Sequence, residues 1–293
     1  MKFRTEIKVE KAPFSLSPVG KTVFMGSCFS DNIGGRLADY MAPVSVNPCG
    51  VQFNPASIAR VISLALEGKE LSEDAFFLYD GLWRCWFLPT SFASAERVKT
   101  VEKAKSALGE LRDDLRDAQV LVVTFGTAQV YRHLPSQHSL FEGIVSNCHK
   151  VPAREFSHEM LSVSDIVGQW LPLMLQLREF NPLLKVIFTV SPVRHLNPSP
   201  HLNTLSKATL QLAVDQLITD SADVVYFPAW ELLMDDLRDY RFYADDLVHP
   251  SSVAVDYIWE KFCDTFYSET DRRILADGAS RSRRLRHRPL LQK

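Results

Sequence analysis

The sequence lacks the short motifs that usually accompany a cofactor. Only 12 of its 293 residues are glycine, and it contains neither a G-x-G-x-x-G fingerprint nor a P-loop. An H-E-x-x-H zinc motif is also missing, and no two histidines are three or four residues apart. The G-x-S-x-G elbow typical of α/β-hydrolases is absent as well. We therefore expect neither a cofactor nor a metal ion.

The sequence has few cysteines, and their spacing indicates no paired motif. The chain has five, an odd number, and no C-x-x-C pair. Such spacing favours reduced thiols and a cytoplasmic protein over a disulfide framework or a zinc site. Charges also interrupt every short apolar run in residues 1–14, so we expect neither a signal peptide nor a membrane-spanning helix there.

The overall charge is nearly balanced, with 33 Lys and Arg against 35 Asp and Glu. A protein with so little net charge is not expected to bind nucleic acid as a whole. Residues 271–293 are an exception, since eight of them are basic and two acidic. An RNA- or membrane-binding arm would explain this bias, but Gly278, Ser280 and Ser282 interrupt any amphipathic pattern. We therefore predict a flexible, solvated tail over 268–293.

Short apolar runs separated by helical patterns make up most of the rest, and 46% of all residues are hydrophobic. Nearly continuous apolar runs are typical of parallel strands covered on both faces. The repeated strand and helix pattern predicts a three-layer α/β/α fold with a mostly parallel, five-stranded sheet, as in flavodoxin-like proteins, in one domain over 1–267. The predicted strands are Thr22–Met25, Val44–Val46, Val120–Phe125, Lys185–Val190 and Val224–Phe227.

Two stretches depart from this pattern and are predicted to be insertions. The first, near 70–92, is crowded with aromatic residues, and the second, near 131–156, is rich in His and Pro. Their rings could wall a substrate cleft or fill small cores of their own.

Ser27 follows the first predicted strand and precedes a helix predicted over about 31–41. Gly26 permits a tight turn there, and the N-terminus of the helix presents unpaired N–H groups and a positive dipole end. This position suits a nucleophile facing an oxyanion, although a serine at such a turn is also a common helix cap.

Near the other end, Asp246 and His249 are three residues apart and Pro250 follows. At this spacing a carboxylate can orient an imidazole so that its outer nitrogen accepts a proton from a serine. Pro250 is suited to open the next helix, whose positive end would keep the imidazole uncharged. The pair alone is common enough by chance to prove little.

Together these elements resemble the SGNH (GDSL-like) hydrolases, and Gly26-Ser27-Cys28-Phe29-Ser30 resembles the signature of the GSCFA-domain family within them, whose usual fifth residue is Ala. The resemblance spans about residues 1–267. Its further matches are NPCG at 47–50, FNP at 53–55, TFGTA at 124–128, NCHK at 147–150, TVSPVRH at 189–195 and LSKAT at 205–209.

The resemblance implies hydrolysis or transfer of an acyl ester, such as a small acyl group on a carbohydrate-like substrate. It implies Ser27 as nucleophile, His249 as base and Asp246 as its orienting partner. The oxyanion hole would comprise the N–H groups of Ser27 and Gly50. SGNH enzymes add an asparagine from a Gly-x-Asn-Asp block, where this chain has Gly126-Thr127-Ala128-Gln129, so Asn147 or Thr127 is the candidate replacement.

Two other interpretations remain open. Cys28 adjoins Ser27 and is intrinsically the better nucleophile, so a Cys-His-Asp enzyme competes with the serine enzyme. The other interpretation is a module that binds carbohydrate or a protein partner without catalysis, since the asparagine of the Gly-x-Asn-Asp block is missing.

Four further polar residues are candidate substrate contacts, although polar groups in such loops more often hold the loops together. They are Thr127, His149, Arg194 and His195.

Overall fold

Ten strands and eight α-helices form the structure, a computed structural model that describes residues 4–135, 143–197, 199–218 and 221–286. The strands are β1 (Lys21–Gly26), β2 (Val44–Val46), β3 (Phe76–Tyr79), β4 (Leu82–Cys85), β5 (Ala118–Phe125), β6 (Gln129–His133), β7 (Ile144–Val145), β8 (Phe156–Met160), β9 (Lys185–Val190) and β10 (Val224–Tyr226). The helices are α1 (Cys28–Asp39), α2 (Pro55–Glu67), α3 (Arg97–Asp117), α4 (Val163–Phe180), α5 (Pro200–Leu217), α6 (Ala229–Glu231), which continues as a π-helix over Leu232–Leu237, α7 (Ser252–Phe266) and α8 (Glu269–Arg286).

Five of the strands form one sheet in the order β2-β1-β5-β9-β10, and every neighbouring pair is parallel. Side chains of each strand point alternately to two cores. On β1, Val23 and Met25 join the core under α2, α3, α4 and α5, whereas Phe24 joins the core under α1 and α7. Because both faces are covered, nearly every strand position is apolar.

This architecture confirms the predicted three-layer α/β/α fold with a parallel, five-stranded sheet. The observed strands overlap all five predicted ones, with differences of one or two residues at their ends. The strand order also brings the carboxyl ends of β1 and β5 together, since these strands pair directly through Gly26 and Thr124. In such sheets, functional sites gather at this edge.

Small antiparallel sheets lie where insertions are predicted. The hairpin of β3 and β4 falls within 70–92, and β6 pairs with β7 and β8. The aromatic residues of the first insertion largely fill a core, since Phe77 stacks on Trp86 at 3.6 Å between ring centroids and Trp86 is only 5% exposed. Residues 136–142 of the second predicted insertion lie outside the described residues.

The C-terminal segment differs from its prediction as a flexible tail. Residues Glu269–Arg286 form α8, which buries Leu275 and packs so closely on Tyr40 that a Cβ at Gly278 would lie 2.0 Å from the Tyr40 carbonyl oxygen. Gly278 therefore permits a close helix contact instead of breaking the helix. Residues 287–293 of the predicted tail lie outside the described residues.

Over the described ranges, no helix combines the length and apolar character needed to span a bilayer.

Candidate active site

A glycine turn at the end of β1 sets up the site. Gly26 has φ +142°, and a Cβ on it would lie 2.2 Å from the carbonyl oxygen of Thr124 on β5. Its N–H donates to Oδ1 of Asn47 at 2.8 Å, and the Asn47 amide in turn donates to Asp31 at 2.6 Å. Only glycine fits this position, because the backbone conformation is unfavourable for other residues and the neighbouring strand leaves no room.

Ser27 caps α1. Its Oγ accepts a hydrogen bond from the N–H of Phe29 at 3.3 Å, and its own N–H donates to Thr124 O at 3.3 Å. The residue is fully buried. Because of this cap, α1 begins three residues before the predicted start at 31. The hydroxyl oxygen of Ser27 thus turns toward the first turn of α1, and its role as nucleophile stays a prediction.

Cys28, the first residue of α1, faces the histidine that the sequence singles out. Its Sγ lies 3.6 Å from Nε2 of His249, within hydrogen-bonding distance for sulfur. The thiol is partly exposed and stands at the positive end of a 12-residue helix, which favours a negative charge on sulfur.

Asp246 orients the other side of the His249 ring. Its Oδ2 lies 2.6 Å from Nδ1 of His249, and its Oδ1 accepts from the backbone N–H groups of Val248 and His249, both at 2.9 Å. The bonds from His249 and Val248 lower the pKa of Asp246 to about 2. The structure thus brings Asp246, His249 and Cys28 into one row, with the carboxylate ionised at neutral pH.

The Cys28 thiol is harder to deprotonate than the thiol of a free cysteine. Burial, followed by the nearby charge of Asp31, raises its pKa, while the N–H groups of Cys28 and Phe29 and the charge of Lys207 act in the opposite direction. A base is therefore required to form the thiolate, and His249 Nε2 is positioned to be that base.

Most of the oxyanion donors that the resemblance implies are committed elsewhere. The N–H of Gly50 donates to Asn47 O at 2.7 Å, just as that of Ser27 donates to Thr124 O. The hydroxyl of Thr127 is paired with Ser206 Oγ at 3.0 Å and also accepts from the Gln129 N–H. The N–H groups of Ser27 and Gly50 therefore already have acceptors, whereas in the pair of Thr127 and Ser206 either hydroxyl can be the donor.

Comparison with known proteins places the sequence in a family. A profile of the GSCFA family matches residues 21–262, a range that includes both the turn at Gly26 and the pair Asp246 and His249. The chain belongs to the GSCFA family. A search of curated proteins found no match to it.

Several solved structures resemble this GSCFA chain at low identity. A carbohydrate esterase of family 3 from Talaromyces cellulolyticus is 11% identical, with a TM-score of 0.39 over 88% of this chain and 99% of that one. A mutant acetyl esterase with acetate ion gives the same values. An acetyl xylan esterase from the rumen bacterium Butyrivibrio proteoclasticus is 11% identical, with a TM-score of 0.34 over 89% of this chain and 64% of that one.

His149, a predicted substrate contact, is a structural residue in this GSCFA chain. It is 1% exposed, and both ring nitrogens have partners, Nε2 with Cys85 O at 2.9 Å and Nδ1 with Thr90 Oγ1 at 3.2 Å. Its own carbonyl accepts from Arg84 at 3.0 Å. The prediction of a substrate role is therefore corrected, because His149 holds its loop against β4 and has no nitrogen left for a ligand.

The buried His149 predicts a loss of stability in acid. Burial lowers its pKa from 6.5 to about 4, so the unfolded chain binds more protons than the folded one between these values. Stability then falls as the pH falls through this window, by about 2 kcal/mol between about pH 7 and about pH 5. Urea unfolding of the wild type and of His149→Gln at both pH values measures this. An equal pH dependence in the two proteins would contradict the assignment.

The other two predicted contacts, Arg194 and His195, lie on the loop after β9. The guanidinium of Arg194 sits 5.7 Å from the ring centroid of Tyr243, and its backbone N–H donates to Val248 O at 3.1 Å, beside His249. His195 lines a cavity of about 290 Å³, and burial, followed by the charges of Lys207 and His249, lowers its pKa to about 4. His195 is thus the only one of these two that faces this cavity.

Lys207 belongs to the site, although the LSKAT match at 205–209 that contains it predicts no role for it. It lies in the buried face of α5, 2% exposed, and its Nζ donates to Gly126 O at 2.6 Å and Ser191 O at 2.7 Å. It ties together the ends of β5 and β9 below Cys28. Burial lowers its pKa to about 7. A lysine beside the apolar positions Leu210, Ala213 and Val214 of this helix face was the available signal, since a buried lysine needs internal acceptors.

A metal centre is not apparent in the part of the chain that is described, since no three His, Cys, Asp or Glu side chains there are placed to share an ion.

Proposed function

We propose that this protein is a thiol-dependent acyl hydrolase or acyltransferase that acts on esters, with Cys28 as nucleophile, His249 as general base and Asp246 as the orienting carboxylate. One observation carries the proposal, namely the unbroken row from Asp246 Oδ2 through His249 to Cys28 Sγ, with separations of 2.6 and 3.6 Å. Such a row of nucleophile, base and orienting group is the recurrent arrangement for acyl transfer.

In the first half-reaction His249 Nε2 takes the proton of the Cys28 thiol as the sulfur attacks the ester carbonyl carbon. A carbon–sulfur bond forms and the carbonyl oxygen becomes an oxyanion. When the oxyanion collapses, the bond to the alcohol oxygen breaks, and His249 gives that oxygen its proton. The products are the free alcohol and an acyl thioester on Cys28.

In the second half-reaction His249 takes a proton from the acceptor hydroxyl, which attacks the thioester carbonyl carbon. The carbon–sulfur bond then breaks and the proton returns to sulfur. Water as acceptor gives a carboxylic acid, whereas an alcohol gives a new ester. Throughout, Asp246 remains ionised and stabilises the imidazolium, as its pKa of about 2 allows.

The backbone N–H of Cys28 is the leading oxyanion donor, because the first N–H groups of a helix have no partner within the helix. Asn147 is the second candidate. Its Oδ1 accepts from the His149 N–H at 2.7 Å, and its side chain lines the cavity beside His195. The amide nitrogen of Asn147 would donate to the oxyanion in the role for which the resemblance expects an asparagine.

Chemical labelling tests the proposal. The protein is screened against p-nitrophenyl acetate and acetylated sugars, then treated separately with iodoacetamide and with a fluorophosphonate, and the modified residue is mapped by mass spectrometry. We expect iodoacetamide to inactivate the protein by alkylating Cys28. If the fluorophosphonate inactivates the protein by modifying Ser27 while Cys28 stays unmodified, Ser27 is the nucleophile and the thiol mechanism is wrong.

A binding module without catalysis is the second candidate function, and the committed N–H groups of Ser27 and Gly50 favour it. With two of the implied donors unavailable, the remaining hole is smaller than in a complete acyl-transfer site. The same screen separates the two functions. Turnover that His249→Ala abolishes supports the enzyme, while glycan binding with no turnover of any ester supports the module.

A further inference from the structure

The cavity beside His195 is lined by uncharged groups. It measures about 290 Å³ and lies between the loop before α2 and the small sheet of β6, β7 and β8. Amide, hydroxyl and imidazole side chains line it together with Phe53, Val145 and Cys148, and its described lining includes no Asp, Glu, Lys or Arg. The lining residues used below are Gln129, Tyr131, His158 and His195.

Two buried nitrogens in this lining have no hydrogen-bond partner among the described residues. Gln129 is 9% exposed, yet its Nε2 makes no hydrogen bond, and the Nε2 of His195 is also buried and unpaired. Buried polar groups almost always have a partner, because leaving one unsatisfied is costly. Two such nitrogens in residues that line one cavity favour a ligand that supplies an acceptor to the Gln129 amide and a donor or an acceptor to the neutral His195 ring, according to its tautomer.

The cavity adjoins the turn that carries the nucleophile. A Cβ built on Gly126 would lie 3.5 Å from Nε2 of His195 and 3.2 Å from Cβ of Ser27. The charge of His249 also acts on His195 and contributes to lowering its pKa. A ligand in the cavity would therefore lie next to the row of Cys28 and His249.

An exposed aromatic surface borders the same cavity. Tyr131 is 45% exposed and stacks on His158, with ring centroids 4.6 Å apart and planes 14° apart. A flat, partly exposed ring pair suits a ligand that has both an apolar face and hydroxyl groups.

We propose that this cavity binds an uncharged, polyhydroxylated ring, such as a neutral sugar, as the alcohol portion of the ester substrate, with Gln129 as a specificity-determining residue. The assignment to an ester rests on the proposed function. The volume of about 290 Å³ lies just below the usual range of about 300 to 1,000 Å³ for small-molecule sites, which fits one ring rather than a long chain. A carboxylate on the ring would be desolvated without a cation to pair with it, so charged sugars are disfavoured.

Direct binding tests this without relying on catalysis. Neutral methyl glycosides of glucose, galactose and xylose, together with glucuronate, are titrated by NMR into the wild type, Gln129→Leu and Gln169→Leu. The last is a matched control, because Gln169 on α4 also has an unpaired amide oxygen but does not line the cavity. We expect at least one neutral glycoside to bind, with a Kd at least tenfold higher for Gln129→Leu and unchanged for Gln169→Leu.

A second variant keeps the test valid if Gln129→Leu does not fold. Tyr131→Ala alters an exposed side chain, and we expect it to weaken the same glycoside severalfold. Three outcomes would overturn the proposal. They are no binding of any neutral glycoside, tighter binding of glucuronate than of the neutral glycosides, and equal binding by the wild type and Gln129→Leu. If Gln129→Leu does not fold, Tyr131→Ala takes its place in the last comparison.

The two proposals fail in different ways. Sugar binding that depends on Gln129, with no ester cleaved, would leave the cavity assignment standing and remove the reaction. Cleavage of p-nitrophenyl acetate that depends on Cys28, with no sugar bound, would do the reverse. If both hold, Gln129→Leu should lower kcat/KM more for an acetylated methyl glycoside than for p-nitrophenyl acetate, by about tenfold.

Discussion

Replacing Cys28 with alanine is expected to lower kcat/KM for ester hydrolysis about 10³-fold or more, whereas Ser27→Ala should keep the activity within a few-fold of the wild type. The reason is geometric, because the sulfur of Cys28 is 3.6 Å from His249 Nε2 while the Ser27 hydroxyl oxygen accepts from the Phe29 N–H. Steady-state kinetics with p-nitrophenyl acetate measures both variants.

Ser27→Ala should lower the stability of the protein more than Cys28→Ala does, although it should lower the activity less. Ser27→Ala removes the cap of α1 and should cost about 1 kcal/mol of the free energy of unfolding, as caps usually do. Cys28→Ala removes one partly exposed thiol and should cost less. If Ser27→Ala is inactive while correctly folded and Cys28→Ala is active, the thiol mechanism is wrong and the serine is the nucleophile.

The second large effect is expected at Gly26. A methyl group there would lie 2.2 Å from Thr124 O, which belongs to the backbone of the neighbouring strand and can move only if β1 and β5 separate. Backbone strain at φ +142° adds to this overlap. We expect Gly26→Ala to lower the free energy of unfolding by about 3 kcal/mol or more, measured by guanidinium denaturation.

Gly35 provides the control. It lies inside α1, and a Cβ on it would have no atom within 4 Å. Gly35→Ala should therefore raise the free energy of unfolding by about 0.5 to 1 kcal/mol, because alanine restricts the unfolded chain and favours the helix. Similar effects from the two substitutions would show that the turn at Gly26 does not require glycine.

The fold could be predicted from the sequence because its signal is local and repeated. All five predicted strands of the central sheet are present, since a strand covered on both faces must be apolar at almost every position. The exception was the C-terminal segment, where Gly278 indicated a tail. A glycine inside a helix is unfavourable by itself, but at position 278 it allows contact with Tyr40, which no local pattern reveals.

The pairing of Asp246 with His249 was also predictable, because the two residues are three apart in one turn and their contact needs no distant partner. The choice between Ser27 and Cys28 was not. Successive residues of a helix point about 100° apart, so a start of α1 that is uncertain by a few residues leaves the facing side chain undecided.

The oxyanion donors and the substrate contacts depended on groups that are distant in sequence. His149 is held by Cys85 O and Thr90, and Lys207 by the carbonyls of Gly126 and Ser191. A polar residue in a loop motif serves a ligand or the loop itself according to which acceptors surround it, and those acceptors come from other elements.

The layered fold, the turn after the first strand and the carboxylate and imidazole pair near the end can all be predicted from the amino-acid sequence, because each depends on residues close together in the chain. Three other features become visible only in the folded chain: Cys28 faces His249, His149 and Lys207 are internal supports, and Gln129 and His195 share a cavity. Those outcomes depend on how the ends of β1, β5 and β9 meet, which packing across the whole sheet fixes.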